Sequence, residues 1–459
     1  MTERAGVWVP GRRTLTAGLV LTITVVAFEA LAIATVMPLV EDDLGDIHLY
    51  GWVFSAFFLG NLIGIVIAGR AADRMLPAIP FAVGLVLFGS GLVVGGLAPS
   101  MLILVVGRAL QGLGAGALPA VAYVSIGRGY GPELRPRMFA LLSTAWVVPS
   151  LIGPALSGFV GETVGWRWVF LGLIPLFVLI GSVAVMAVRR IPAPEVPSPG
   201  ASLLDALLVA GGAAILLAGI GADQLVVAIG LVAVGISLAV PAFRRLTPPG
   251  TIRAARGLPA AIATRGIVTF AFFASEAYIP LMLTDVKGLR AGVAGLALTA
   301  AALTWTTGAW LQERFVYRVG PRPLVRTGFI VVVFGVGVVA LSLESGVSPA
   351  VGIVAWGVTG LGMGLAYTPL SFAAIDRATP GQEGATASAL QLSDVLGIAL
   401  GTGVAGALVA FGEDAGWLPR TALLGVFVMT MTVAVLGAVL AVRLPAPVAT
   451  SRTTSVTAS

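Results

Sequence analysis

Four charged residues lie deep inside apolar runs of the chain, where an acid or a base can carry a proton or hold a charged solute: Glu29, Arg108, Glu276 and Asp394. An ion in hydrocarbon must be compensated, so each is a functional candidate by default. Helical rise sets their depth at about 1.5 Å per residue. Arg108 follows Ser100 by eight residues, about 12 Å below one face, and Glu29 precedes Pro38 by nine, about 14 Å from the same face, so the two could pair. Glu276 precedes Asp285 by nine residues and Asp394 follows Glu383 by eleven. Cysteine is absent, and the one histidine, His48, sits beside Asp46 in a polar stretch. Thiol chemistry, a histidine metal site and a histidine-based catalytic dyad are excluded on those counts. No phosphate-cradling Walker motif is present, so ATP does not drive this chain, and no cofactor is called for.

The elements that must position these residues follow from composition. Only 10% of the 459 residues are charged and 58% are hydrophobic, with a mean hydropathy of +1.02. Soluble domains carry about 25% charge, so this chain is predicted to be an all-α integral membrane protein. Apolar runs long enough to cross a bilayer core, about 20 residues each, occur fourteen times, from 14–40 to 419–442. The seventh and eighth are the weakest, because only 17 residues separate Asp205 from Asp223; without them the count is twelve. The first run is too long for a signal peptide and lacks a cleavage site, so it reads as a retained helix. A pI near 10.3 could point to nucleic acid, but the basic residues are dealt out in small groups between apolar runs. Of 27 Lys and Arg, 22 fall on one set of loops, Arg265 counted among them, four on the other, and Arg108 within a helix. Positive residues stay inside, so both termini are expected in the cytoplasm, in a cell membrane, with the chain acting as a monomer.

Two halves repeat. Gly112-Leu113-Gly114-Ala115-Gly116 recurs as Gly360-Leu361-Gly362-Met363-Gly364 at a shift of 248, and at that same shift Gly153 and Gly158 meet Gly401 and Gly406. The repeat predicts a six-helix bundle over 1–190, linkers and two inserted helices over 191–258, a second six-helix bundle over 259–445, and a disordered cytoplasmic tail over 446–459. Repeated halves mark alternating-access transporters, with the site at their interface near the midplane. Ser202 and Asp205 form a capping-box pattern at the start of the inserted pair.

Four stretches carry a resemblance. Gly69-Arg70-Ala71-Ala72-Asp73-Arg74 resembles the signature G-x-x-x-D-[RK]-x-G-[RK], although Leu76 and Pro77 replace its second glycine and base. Leu104 to Gly112, around Arg108, is similar to a fourth-helix motif. Pro149 to Gly158, with Gly153, Pro154 and Gly158, resembles the antiporter motif g-x-x-x-G-P-x-x-G-G with its first and ninth positions altered. Glu29, Thr35 and Pro38 keep the spacing of acid, threonine and proline in L-D-x-T-x-V-N-x-A-L-P. Together these are similar to the 14-helix drug:proton antiporters of the major facilitator superfamily. The resemblance implies the major facilitator fold, two six-helix bundles related by a pseudo-two-fold axis plus two inserted helices. It also implies proton-coupled export of amphiphilic small molecules, with Arg108 lining the cavity. Gly69 would allow close helix approach, and Asp73 could accept bonds from the other half, latching the cytoplasmic gate with Arg74. Lipid or glycolipid export, or solute uptake, is the rival on the same fold. A receptor or scaffold, from another class, would leave function intact when the charge at Glu29 is changed.

Overall fold

The protein is described by a computed structural model covering residues 6–9, 12–131, 134–193, 202–222, 224–375 and 383–444. The tail at 446–459 and the proline-bearing linker at 194–201 lie outside the described residues. The described residues are predominantly helical and contain no strand. The first group comprises α1 (Arg13–Leu44), α2 (Tyr50–Ala72), α3 (Ala78–Gly96), α4 (Met101–Gly129), α5 (Arg135–Thr144), α6 (Val147–Thr163), α7 (Arg167–Leu171) and α8 (Ile174–Val188). A hairpin follows, α9 (Leu203–Ile220) and α10 (Leu225–Leu246). The last group comprises α11 (Leu258–Glu276), α12 (Ile279–Leu281), α13 (Ala291–Val319), α14 (Pro321–Leu341), α15 (Pro349–Ile375), α16 (Glu383–Asp414) and α17 (Pro419–Leu440). Among the described residues, twelve helical segments are long and apolar enough to cross a membrane, and both arms of the hairpin are among them.

Packing repeats with the sequence. In the first group α4 lies against α2 and α3, and α1 against α6 and α8; in the last group α15 lies against α13 and α14, and α11 against α16 and α17. The repeated glycines explain the match, because each lets two backbones approach without a side chain between them. A Cβ on Gly112 or Gly116 would meet the carbonyls of Phe57 and Asn61 in α2, at 2.0 and 2.1 Å, while one on Gly114 would meet Gly84 in α3 at 2.4 Å. The second copy does the same: Gly360 and Gly364 face Ala301 and Trp305 in α13, and Gly362 faces Gly328 in α14. Alternate glycines thus serve two neighbours on opposite sides of one helix.

The hairpin caps itself as its sequence predicts, Ser202 Oγ accepting the Asp205 amide at 3.2 Å. Asp205 also accepts from Arg245 at 2.5 Å, joining the two arms at their arginine-rich end. Helix α9 wedges between α2 and α16, burying Val209 and Ala213 against Leu59, Leu62 and Val395.

Candidate functional site

Glu29 on α1 and Arg108 on α4 are brought together as an ion pair, both at most 2% exposed. Three further contacts fix the guanidinium: Nη1 donates to Gln111 Oε1 at 2.7 Å, Nε donates to the Val53 carbonyl at 3.2 Å, and the Phe57 ring lies 4.2 Å from Cζ. The pair is held by one carboxylate oxygen. The other, Glu29 Oε2, is buried with no hydrogen-bond partner, as is Gln111 Nε2. A glutamine one turn beyond an intramembrane arginine was the signal for the third member, since it lies on the same helix face.

Asp394 is placed in a second cluster, 14% exposed at its side chain. Arg265, counted above with the cytoplasmic cations, lies inside α11 and is 7% exposed; its Nε donates to Asp394 Oδ1 at 2.9 Å. Tyr367 on α15 donates its hydroxyl to Asp394 Oδ2 at 2.9 Å, and its ring lies 3.0 Å from the guanidinium carbon. Arg265 Nη1 also donates to Ser371 Oγ and to the Tyr367 carbonyl, each at 2.8 Å. Each helix group therefore contains an arginine–carboxylate pair in the interior of its helices.

Glu276 differs from both. It is the last residue of α11, because Pro280, four positions on, has no amide to donate to its carbonyl. A short helix and the π-helical turn Met282–Val286 follow the break. Glu276 is partly buried, and its carboxylate makes no ion pair or hydrogen bond among the described residues. The adjoining Ala277 carbonyl accepts from Tyr50 of α2 at 3.4 Å, and Tyr278 lies against Tyr50, 5.2 Å between ring centroids. Of the aromatic residues nearby, Phe272, Phe273 and Trp305 cluster together, whereas Trp310 is exposed.

The two helix groups meet at the end opposite the arginine-rich one, along two related seams. Gly158 of α6 abuts Gly292 of α13, where a Cβ would come within 2.5 Å of backbone; Gly406 of α16 abuts Gly51 of α2, within 2.6 Å. A polar pair flanks each seam: the ion pair of Glu162 with Arg290 at 2.6 Å, and His48 Nε2 facing Asp414 at 3.4 Å. Glu162 also accepts the Gly292 amide at 2.8 Å. In the proline–glycine motif, Pro154 lends its carbonyl to this seam, 3.0 Å from where a Gly295 Cβ would stand, while Gly153 faces Phe28 of α1 with ordinary spacing of 3.7 Å. Overpacking a contact costs about 1–3 kcal/mol, so Gly158→Val should depopulate the conformer sealed here about five- to 150-fold. Initial rates of dye transport should fall at least about fivefold in Gly158→Val and stay within about twofold in Gly153→Ala. Equal rates in the two variants would show that the seam does not have to close.

The first-loop motif is arranged differently from its expected form. Asp73 faces Arg128 of α4, in its own helix group, at 3.4 Å, and Arg128 donates to the Ala72 carbonyl at 3.0 Å. Arg74 is exposed, and open space surrounds the Cα of Gly69, so no close approach depends on that glycine. Asp73→Asn removes the charge that faces Arg128 and is expected to slow turnover while leaving substrate affinity within about threefold. Unchanged turnover would contradict that expectation.

Comparison with known proteins follows the same architecture. A sequence profile of the Major Facilitator Superfamily matches residues 19–390. The multidrug transporter protein MdtP of Bacillus subtilis is 24% identical over 413 residues, 87% of this chain and 75% of that protein. A probable multidrug-efflux transporter of Mycobacterium tuberculosis is 28% identical over 396 residues, 82% of this chain and 83% of that one. Among solved structures, a POT family transporter in complex with 5-aminolevulinic acid superposes with a TM-score of 0.68 at 14% identity, covering 93% of this chain and 96% of that one. An inward-facing bacterial homolog of the human lysosomal transporter Spinster gives a TM-score of 0.64 at 15% identity, covering 95% and 98%.

Proposed function

Because this chain belongs to the Major Facilitator Superfamily, we propose that it is a proton-coupled exporter of amphiphilic small molecules, cationic or neutral, working by alternating access in a cell membrane. Relatives named as a multidrug transporter and a probable multidrug-efflux transporter support the substrate class. In this proposal the segments 1–190 and 259–445 are the two moving bundles and the α9–α10 hairpin in 191–258 is the inserted pair. The interrupted α5–α6 and α13 add two crossings to the twelve, making fourteen. The arginine-rich end is cytoplasmic by the positive-inside rule, which puts both termini inside and the glycine seams outside.

One observation carries the coupling. Glu29 holds Arg108 through one oxygen while its other oxygen is buried and free. A proton arriving at that oxygen neutralises the carboxylate without first displacing the arginine, and a neutral acceptor binds a guanidinium less strongly than a charged one. Protonation from outside would loosen α1 from α4 and favour one conformer; loss of the proton inside would restore the pair. Glu276 supplies the complementary group, an unpaired carboxylate that a cationic substrate can occupy. Its position beside the Tyr50–Tyr278 contact links occupancy to the outer seam. Asp394, Arg265 and Tyr367 form the corresponding anchored cluster of the second bundle.

Inverted membrane vesicles test the proposal. Energised vesicles should accumulate an amphiphilic cationic dye, and an uncoupler should abolish accumulation. Accumulation that survives the uncoupler would contradict proton coupling. A chain that moves no dye under either condition would contradict drug export.

A further inference from the structure

Two arginine-lined cavities open at the arginine-rich end, one in each helix group. The first, about 220 Å³, is lined by Arg12 just before α1, Arg128 at the end of α4 and Arg190 just after α8. The second, about 500 Å³, is lined by Arg256 just before α11, Arg322 at the start of α14 and Arg443 just after α17. In both, one arginine precedes the first helix of the group and one follows the last, while the third comes from non-equivalent helices, α4 in the first group and α14 in the second. Among the described residues no acidic side chain lines either cavity.

The guanidiniums are partly fixed and largely uncompensated. Arg322 donates twice to the Leu444 carbonyl, at 3.0 and 2.6 Å, and Arg443 donates to the carbonyls of Arg253 and Ala254, at 2.8 and 3.3 Å. Carbonyls orient these side chains without cancelling their charge. Arg128 shares Asp73 at 3.4 Å. Arg12, Arg190 and Arg256 make no ion pair or hydrogen bond through their side chains among the described residues. Three like charges around one concavity repel each other and attract a multivalent oxyanion, which guanidiniums bind through paired hydrogen bonds. The membrane side of the second cavity is apolar: Val439 and Val442 are 62% and 50% exposed beside its arginines. Positive residues at a helix end keep a topology in place wherever they stand. That rule requires neither a concave site nor arginines framing it from both the first and the last helix of each half.

We propose that each cavity is a binding site for a phosphate-bearing anion at the inner membrane surface, one site per bundle. The phosphate of an anionic phospholipid head group and free phosphate share this chemistry. Bound at the cytoplasmic end of each bundle, away from Glu29, such an anion would tie the first and last helices of that bundle together.

The full-length protein in a neutral detergent is titrated with dihexanoyl phosphatidylglycerol, with dihexanoyl phosphatidylcholine, and with inorganic phosphate, and binding is read by microscale thermophoresis. Phosphatidylglycerol should bind, weaken as sodium chloride rises, and lose about fivefold in affinity per arginine removed at a site. Arg190→Gln should weaken the first site and Arg256→Gln the second, and the double variant should affect both. Among the described residues these side chains hold nothing else in place, so the unliganded variants should melt with the parent. Inorganic phosphate binding as tightly as phosphatidylglycerol identifies free anion as the ligand; binding of phosphatidylglycerol alone identifies lipid. Phosphatidylcholine binding equally well, no anion binding at all, or a double variant that binds as the parent does would overturn the proposal.

Discussion

Replacing Glu29 with Gln is expected to abolish uphill export while leaving downhill exchange of substrate intact. Gln keeps the size of the side chain and an oxygen for Arg108, but it cannot alternate between charged and neutral forms. A potential of 100 mV supplies about 2.3 kcal/mol per proton, enough for a roughly fiftyfold substrate gradient. In vesicles carrying Glu29→Gln that ratio should fall to about one. The change has a second consequence, because Arg108 is left charged and buried at 1% exposure. Breaking a buried pair from one side costs about 3–5 kcal/mol, so the single variant should also be less stable. The double variant Glu29→Gln with Arg108→Gln should regain stability without regaining coupling. Restored stability with absent coupling separates the proton-carrying role from a structural one. Glu29→Asp should keep partial activity, since the carboxylate is retained at a shorter reach. A Glu29→Gln variant that pumps as well as the parent would remove Glu29 as the coupling site.

The second large effect is expected at Glu276, and in the opposite pattern. No partner among the described residues is orphaned when this carboxylate is neutralised, so Glu276→Gln should fold and melt at least as well as the parent. Binding of an amphiphilic cation such as tetraphenylphosphonium should weaken at least about thirtyfold, or about 2 kcal/mol, the lower range for losing one partner of a buried charge pair. A neutral amphiphile of similar size should be affected by no more than about threefold. Equal losses for cation and neutral solute would show that Glu276 acts through the outer seam. No loss for either would remove it from the binding cavity.

Sequence reveals depth better than it reveals direction. Counting residues from Ser100 and Pro38 put Arg108 and Glu29 at similar depth on two helices, and the structure brings them together. Rise per residue needs no knowledge of neighbours. Which way a side chain points around its helix depends on packing, and there the sequence is silent. Arg265 followed a string of loop arginines and was grouped with them, yet it enters the second turn of α11 and meets Asp394, 129 positions away. Glu276 shows no local sign of lacking a partner, because partners come from other helices. Its neighbour Pro280 does announce the break that ends α11. The glycine repeat was legible as a repeat, whereas its division between two neighbouring helices emerged only from the packing. Asp73 shows the same limit: its motif fixed the residue type, and tertiary contact with Arg128 fixed its partner in this conformer.

The measurement that bears most directly on proton-coupled export is proton flux driven by substrate alone. Proteoliposomes of the purified protein are loaded with a pH-sensitive dye, no pH gradient or potential is imposed, and a gradient of an amphiphilic cation is applied. Antiport requires protons to move against the direction of the cation, with a flux that disappears in Glu29→Gln. Cation movement without counter-moving protons in the parent protein, or an undiminished proton flux in Glu29→Gln, would contradict the mechanism.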